Sequence, residues 1–426
     1  MRIEDLHSLF TECSSVCTDT RKLKKGDMFF ALKGDNFNGN NYAENALKSG
    51  AKFAVIDEAE FNTSNKTILV DNVLNTLQEL ASYHRVHLNI PIIALTGSNG
   101  KTTTKELINA VLSEKYNTTA TVGNLNNHIG VPLTLLSMTP KTEIGIVEMG
   151  ANHQKEIEFL CKIAKPDYGY ITNFGKAHLE GFGSVEGVIK GKSEMYEFLI
   201  SHNKHIFVNT NDAIQVEKTK NAKRYTYGNK IGKVDVLIAF KEAQPFVKCL
   251  YNNQNIQSQL IGDYNFNNIA AAITIGNYFK VKDSDIKNGI ENYLPSNNRS
   301  QIIDKASNKI VLDAYNANPT SMQAALLNFE KQPGNKIAIL GDMFELGDDA
   351  IIEHQNIVDL ALTLNISQVI LVGENFYKSK IHSEKAIQIE SFKAFKNDYN
   401  FSLIKNNTIL IKGSRGMALE RLLDLI

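Results

Sequence analysis

The feature that most narrows what this chain can fold into is the run Thr96-Gly97-Ser98-Asn99-Gly100-Lys101-Thr102-Thr103-Thr104, taken with its flanks. Pro91 and the apolar stretch Ile92-Ile93-Ala94-Leu95 precede it, and Leu107/Val111 and Ile108/Leu112 follow at helical spacing. A buried strand that turns through glycines into an amphipathic helix is a phosphate loop. The glycines let backbone N–H groups turn inward around a phosphate, and the helix N-terminus adds its dipole. Lys101 is placed to reach the β- and γ-phosphates of a nucleotide, and the Thr102 hydroxyl to ligate Mg²⁺. The general pattern has a glycine five positions before Gly100, where this chain has Leu95, so the loop is a shortened variant. A glycine turn that merely caps a helix is the competing reading. It is weakened by the strand, the Lys-Thr pair and the helix all standing in order. Glu148 closes a second apolar run, Ile144-Gly145-Ile146-Val147, which sets a carboxylate at a strand's C-terminal end as a partner for the cation.

Around this loop the chain divides by texture. Its 426 residues predict two or three domains at ~150 residues each. Residues 1–88 alternate short apolar runs with helical stretches and read as a small α/β domain; one helix ends at Gly50 after Ala43–Lys48. Residues 89–296 carry buried-type strands separated by helices, which predicts a mostly parallel sheet, with an antiparallel insert over 230–260 around the Asn252-Asn253 turn. Leu294-Pro295-Ser296-Asn297-Asn298-Arg299 has linker chemistry. Residues 297–426 then repeat strand–loop–helix units whose strands run into Asp313, Asp342, Glu374 and Lys412. Ligands of open α/β sheets bind at such carboxyl ends.

Charge and composition restrict the partners. Lys+Arg and Asp+Glu each number 46, a formal net charge of +0, which argues against broad binding of nucleic acid or an anionic membrane while leaving room for local basic pockets. Cys13, Cys17, Cys161 and Cys249 form no framework and read as isolated thiols of a reducing compartment. The first residues carry no apolar signal region, and no apolar run approaches the ~18 residues of a membrane span. A soluble, cytoplasmic protein is expected.

The motifs together resemble the Mur ligase family, the ATP-dependent amide-forming enzymes of peptidoglycan synthesis. The resemblance rests on the phosphate loop, Asn124-Leu125-Asn126-Asn127-His128-Ile129-Gly130-Val131-Pro132, Val147-Glu148-Met149-Gly150-Ala151-Asn152, Ala177-His178-Leu179-Glu180-Gly181, Lys190-Gly191-Lys192-Ser193-Glu194 and Asn265-Phe266-Asn267-Asn268. Three later segments, Asp313-Ala314-Tyr315-Asn316-Ala317-Asn318-Pro319, Gly341-Asp342-Met343-Phe344-Glu345-Leu346-Gly347 and Lys412-Gly413-Ser414-Arg415-Gly416-Met417, are similar to the branch that adds D-alanyl-D-alanine to a UDP-MurNAc-tripeptide. The Asp-Asn-Pro-Arg motif of the branch that adds the third residue is absent from the sequence.

The resemblance implies a three-domain α/β architecture with a central P-loop parallel sheet, a small N-terminal α/β domain that grips the UDP end, and a C-terminal Rossmann-like domain. It implies ATP and Mg²⁺ as cofactors, small-molecule substrates only, and a chain acting as a monomer. Gly97, Ser98, Asn99, Gly100, Lys101, Thr102 and Thr103 would hold the phosphates. Asn265 and Asn268 would take the adenine side, where Tyr264 replaces the family's usual His. Arg299, Asp313 and Asn316 would reach phosphate and ribose from the C-terminal domain; for Asn316 and Asn318, turn and cap chemistry before Pro319 is the other reading. Thr20, Arg21, Lys33 and Gly34 would grip the diphosphate of the substrate, and Asn124, Asn126 and Asn127 would line its central site. Thr102 and Glu148 would hold one metal ion, His178 and a carbamylated Lys192 a second, with Lys101, His178 and Lys192 as the catalytic set. An ammonium repels Mg²⁺ whereas a carbamate is an anionic oxygen ligand, so Lys192 must be capable of existing as a neutral amine.

Overall fold

The computed structural model describes every residue except Ile231 and Asn297. The linker expected over 294–299 therefore includes one residue, Asn297, outside the described set.

The first sheet is wholly parallel, with strands in the order Val16–Cys17, Met28–Phe30, Phe53–Ile56 and Thr67–Leu69. Met28 and Phe30 point into one apolar cluster and Phe29 and Ala31 into another, the two-sided burial of a covered parallel strand. The short helix Ala43–Lys48 ends through Ser49 into Gly50 at φ +106°. The helix Val73–Leu88 then leaves this unit. Asn72 caps its N-terminus through the Asn75 N–H, and Asn89 ends it in the left-handed region at φ +48°. Its buried stripe of Val73, Leu77, Leu80 and Ala81 packs on the helices Gly130–Leu136 and Glu156–Ala164 of the next unit.

Nine strands make the central sheet. The order is Gln254–Gln257, Lys248–Tyr251, Val236–Glu242, Lys223–Gly228, His205–Asn209, Tyr168–Ile171, Ile92–Thr96, Ile144–Glu148, Thr118–Ala120. The three strands at its far edge pair antiparallel with one another, and every other pairing is parallel. The antiparallel insert thus lies within the region where Asn252-Asn253 announced it. Ile92–Thr96, buried throughout, occupies the middle of the parallel part, so the loop that follows it opens where neighbouring strands also end.

The last sheet has six strands, Gln301–Lys305, Asn308–Asp313, Asn407–Lys412, Asn335–Gly341, Gln368–Val372 and Ala386–Ile389. The first pairs antiparallel and the rest are parallel. Asn407–Lys412 is last in sequence but central in space, which brings Lys412 beside Asp313 at the carboxyl ends. Two carboxyl edges, from the central and the C-terminal sheets, face one another across a cavity.

Candidate active site between the central and C-terminal sheets

The cavity has a volume of about 640 Å³ and is lined by residues of both units. On the central side the loop 97–103 departs from its strand through two left-handed glycines, Gly97 at φ +146° and Gly100 at φ +78°. A side chain at Gly97 would collide with the Thr172 hydroxyl and one at Gly100 with the Asn268 amide, so both positions require glycine for space as well as for φ. Asn173 anchors the loop: its backbone carbonyl accepts from Ser98 N–H at 3.1 Å and its side-chain oxygen from Asn99 N–H at 3.1 Å. The helix Lys101–Ser113 starts at this point. Lys101 folds back to donate to the Gly97 carbonyl at 2.8 Å. Burial pulls its ammonium below the ordinary lysine value; Glu148 opposes that pull and Arg299 adds to it.

Glu148 is 1% exposed. One carboxylate oxygen accepts from the Asn126 amide at 2.8 Å, and the other is buried without a partner. An ionised oxygen in that position is chemically suited to a hard cation. Lys192 is also enclosed, its ammonium nitrogen unpartnered and 5.3 Å from the centre of the Phe182 ring. Burial first, and then the charge of Lys101, drive it well below the usual lysine range, with Glu156 opposing. It stands behind the cavity rather than among its lining residues. Among the described residues no cluster of three His, Cys, Asp or Glu side chains is placed to hold a metal ion by itself.

The other expected residues divide into those the fold gathers and those it does not. Ser98, Asn99, Gly100, Lys101, Thr102, Thr103, Asn124, Asn126, Asn127, Glu148, His178, Asn265, Asn268, Arg299, Asp313 and Asn316 all line the one cavity. Gly97 contributes its carbonyl to Lys101 from just behind it. Thr20, Arg21, Lys33 and Gly34 belong to the N-terminal unit and lie outside the cavity. Arg21 pairs there with Asp19 at 2.8 Å, and Lys33 with Asp57 at 2.9 Å and Glu58 at 2.8 Å, so both cations already have carboxylate partners.

Several of the gathered side chains are also engaged locally. The Asn268 oxygen accepts from the Thr104 hydroxyl at 3.0 Å, while its amide donates to Asn265, whose own amide donates to the Ile261 carbonyl. The pair expected to read a base therefore ties the helix Asn265–Tyr278 to the phosphate-loop helix. Asn127 accepts from the N–H groups of Ile129 and Gly130. Asn316 accepts from Ala317 N–H, and Asn318 caps the helix Pro319–Glu330 in a capping box with Ser321, as the turn-and-cap reading had it.

Lys412 and Tyr315, assigned no role from sequence, complete the C-terminal wall with Arg299 and Asn318. Lys412 donates to Asp313 at 2.6 Å, the Arg299 guanidinium lies 3.6 Å from the centre of the Tyr315 ring, and Asn318 donates to Asn99 across the cavity at 2.8 Å. Tyr264, in place of the usual His, lies 3.1 Å from the Ser300 hydroxyl beyond the linker. His178 pairs with Glu345 of the C-terminal unit, whose carboxyl this contact holds below the ordinary value.

Comparison with known proteins matches this arrangement unit by unit. The family models for the "Mur ligase family, catalytic domain", the "Mur ligase middle domain" and the "Mur ligase, glutamate ligase domain" match residues 12–85, 95–276 and 298–415. The chain belongs to the Mur ligase family. Mur ligases are ATP-dependent, ADP-forming ligases, and the three-domain α/β architecture is theirs. The UDP-N-acetylmuramoyl-tripeptide–D-alanyl-D-alanine ligase of Bacillus subtilis (strain 168) is 35% identical, over 98% of this chain and 94% of that protein. The enzyme of the same name from Escherichia coli (strain K12) is 32% identical over 95% and 92%. A crystal structure of MurF from Acinetobacter baumannii superposes with a TM-score of 0.87 at 29% identity, covering 99% and 97% of the two chains. MurF ligase of Thermotoga maritima in complex with ADP gives 0.81 at 26%, covering 98% and 97%. A folylpolyglutamate synthase of Mycobacterium tuberculosis, at 12% identity and a TM-score of 0.60, shares the fold.

Proposed function

We propose that this Mur ligase joins D-alanyl-D-alanine to the terminal carboxylate of a UDP-MurNAc-tripeptide, with ATP converted to ADP and phosphate. One observation carries the reading beside the near-full-length similarity: a single cavity unites the phosphate loop and the Asn124–Asn127 loop with the C-terminal segments that resemble the dipeptide-adding branch. An amine does not displace oxygen from a carboxylate at neutral pH. Transfer of the γ-phosphoryl group to the tripeptide carboxylate gives an acyl phosphate and ADP; attack by the dipeptide amine then forms the amide and releases phosphate.

In this scheme Lys101 and the amides of residues 97–103 hold the β- and γ-phosphates and offset charge as it develops. Arg299, Asp313 and Asn316 approach the nucleotide from the opposite wall, with Asn265 and Asn268 on the adenine side. The unpartnered Glu148 oxygen suits Mg²⁺, which would be held by Glu148 and Thr102 and would neutralise phosphate charge. His178 and Lys192 would hold a second ion. The enclosed, unpartnered nitrogen of Lys192 suits addition of its neutral amine to CO₂, giving a carbamate and a proton. Thr20, Arg21, Lys33 and Gly34 grip the UDP end, and Asn124, Asn126 and Asn127 the peptide. The domain limits are 1–88, 89–296 and 297–426. The protein acts as a monomer in the cytoplasm, where the substrates of precursor synthesis are made; no helix among the described residues is long and apolar enough to cross a membrane.

The test is ADP release on mixing the full chain, ATP and Mg²⁺ with UDP-MurNAc-tripeptide and each of several acceptors. Turnover with D-alanyl-D-alanine, and none with single amino acids or with folate plus glutamate, is expected. The converse pattern would refute the assignment. Tripeptides ending in lysine or in diaminopimelate, compared in the same assay, identify the third residue.

A further inference from the structure

The segment Gly341-Asp342-Met343-Phe344-Glu345-Leu346-Gly347 has no part in the scheme above, yet it is among the most tightly wired loops of the C-terminal unit. The Asp342 carboxylate accepts from Asn375 N–H and Phe376 N–H, both at 2.9 Å, at the start of a helical turn. Met343 N–H donates to His354 Nε2 at 3.0 Å, and Phe344 N–H to the Ser414 hydroxyl at 2.8 Å. Three consecutive residues are thereby fixed to three different parts of the unit. The fourth, Glu345, is held at φ +62°, a left-handed conformation that a non-glycine residue rarely adopts.

That bend turns Glu345 out of its own unit. Its carbonyl accepts from Glu180 N–H at 3.2 Å and its carboxylate meets Nδ1 of His178. His178 is itself left-handed, at φ +54°, and ends a loop that the C-terminal unit holds at two further points. Lys176 N–H donates to Thr320 at 3.0 Å, and the Lys176 ammonium pairs with Glu353. The start of that loop, Asn173, is the residue that anchors Ser98 and Asn99.

A carboxylate only accepts, so Nδ1 of His178 carries a proton in this contact, and in the neutral ring the bare nitrogen is then Nε2, on a ring that lines the cavity. We propose that Glu345 is a positioning residue that fixes the tautomer and orientation of His178, so that this corner of the site is complete only when the C-terminal unit is docked. The inference rests on the ligase reading for the use made of His178, but the contact is measurable without turnover.

The experiment is long-range ¹H–¹⁵N correlation of the full chain labelled with ¹⁵N-histidine, with His178→Gln assigning the resonance, beside steady-state kinetics. In wild type, His178 is expected as the Nδ1–H tautomer. Glu345→Ala should shift it toward Nε2–H and lower kcat about 10- to 100-fold, with KM for ATP within about twofold. Glu345→Gln keeps an acceptor oxygen and should restore both in part. A melting temperature like wild type in the Gln variant separates this outcome from misfolding. An Nε2–H tautomer in wild type, an unchanged His178 in Glu345→Ala, or an unchanged kcat would each overturn the proposal. A tautomer shift in a chain that shows no ligation with any acceptor would leave the contact standing and remove the function.

Discussion

Lys192 illustrates how a single residue divides between stability and chemistry. Its ammonium nitrogen is enclosed without a hydrogen-bond partner, and its folded-state value lies well below that of a free lysine. Burial penalises the ammonium in the folded chain and not in the unfolded one. Folding therefore disfavours the bound proton, and this group weakens the native state below the ordinary lysine value, an effect that fades as pH rises toward it. Lys192→Met, close in shape and without charge, is expected to raise the melting temperature at pH 7 by about 2 °C in buffer freed of CO₂. It should also cut turnover by about 100-fold or more. Calorimetry and the ADP assay check the two halves; a lower melting temperature would contradict a neutral, unpaired amine, and normal turnover would remove Lys192 from the site. The phosphate loop was legible from sequence because its chemistry is local, within residues 97–103. Lys412, Asn173 and Glu345 were not, since each works through partners tens to hundreds of residues away.

At the scale of elements, the helix Ile3–Thr11 is joined to the helix Val73–Leu88 by a histidine relay. His84 Nε2 lies 2.9 Å from the Met138 carbonyl, which only accepts, so that nitrogen carries a proton. Neutral His84 then accepts at Nδ1, and His7 Nε2 donates to it at 2.9 Å. Phe10, Tyr83 and His87 pack around His7. Burial, with the nearby His84 and His87, lowers His7 to about 4, and burial lowers His84 too. Because the folded values are depressed, the unfolded state binds more protons as pH drops below the ordinary histidine value. Stability is thus full at pH 7, falls through pH 6 and 5, and levels near pH 4. The melting temperature is expected to fall by about 3–6 °C from pH 7 to 5, and His7→Leu should flatten that slope. An equal slope in the variant would place the dependence elsewhere. The alternation of strands and helices was readable from apolar periodicity, down to the Ala43–Lys48 helix and its Gly50. The relay was not, because histidine on an apolar face carries no periodic signal of what it will meet.

For the whole molecule, the order of motifs foretold three units but not the contact that forms the site, since docking is a property of surfaces. Among the described residues, side-chain contacts that join the central and C-terminal units include His178–Glu345, Asn318–Asn99, Lys331–Asp263 at 3.4 Å and Lys176–Glu353 at 2.5 Å. The last is the most telling, because the Glu353 side chain is only 9% exposed and Lys176 belongs to the loop that carries His178. A buried carboxylate stripped of its cation is costly, and two facing carboxylates more so. Lys176→Glu is therefore expected to undock the C-terminal unit. Small-angle scattering should show a radius of gyration about 1 Å above the roughly 22 Å of a compact chain of this length, with turnover falling together with closure. Adding Glu353→Lys restores opposite charges across the same gap, and the double variant should recover the compact radius and part of the rate. Were the charge swap to leave the molecule as open as the single variant, the pair would be a passenger on an interface held by other contacts. Recovery of the radius without the rate would instead mean that Lys176 acts on His178 and the phosphate loop directly, rather than by holding the two units together.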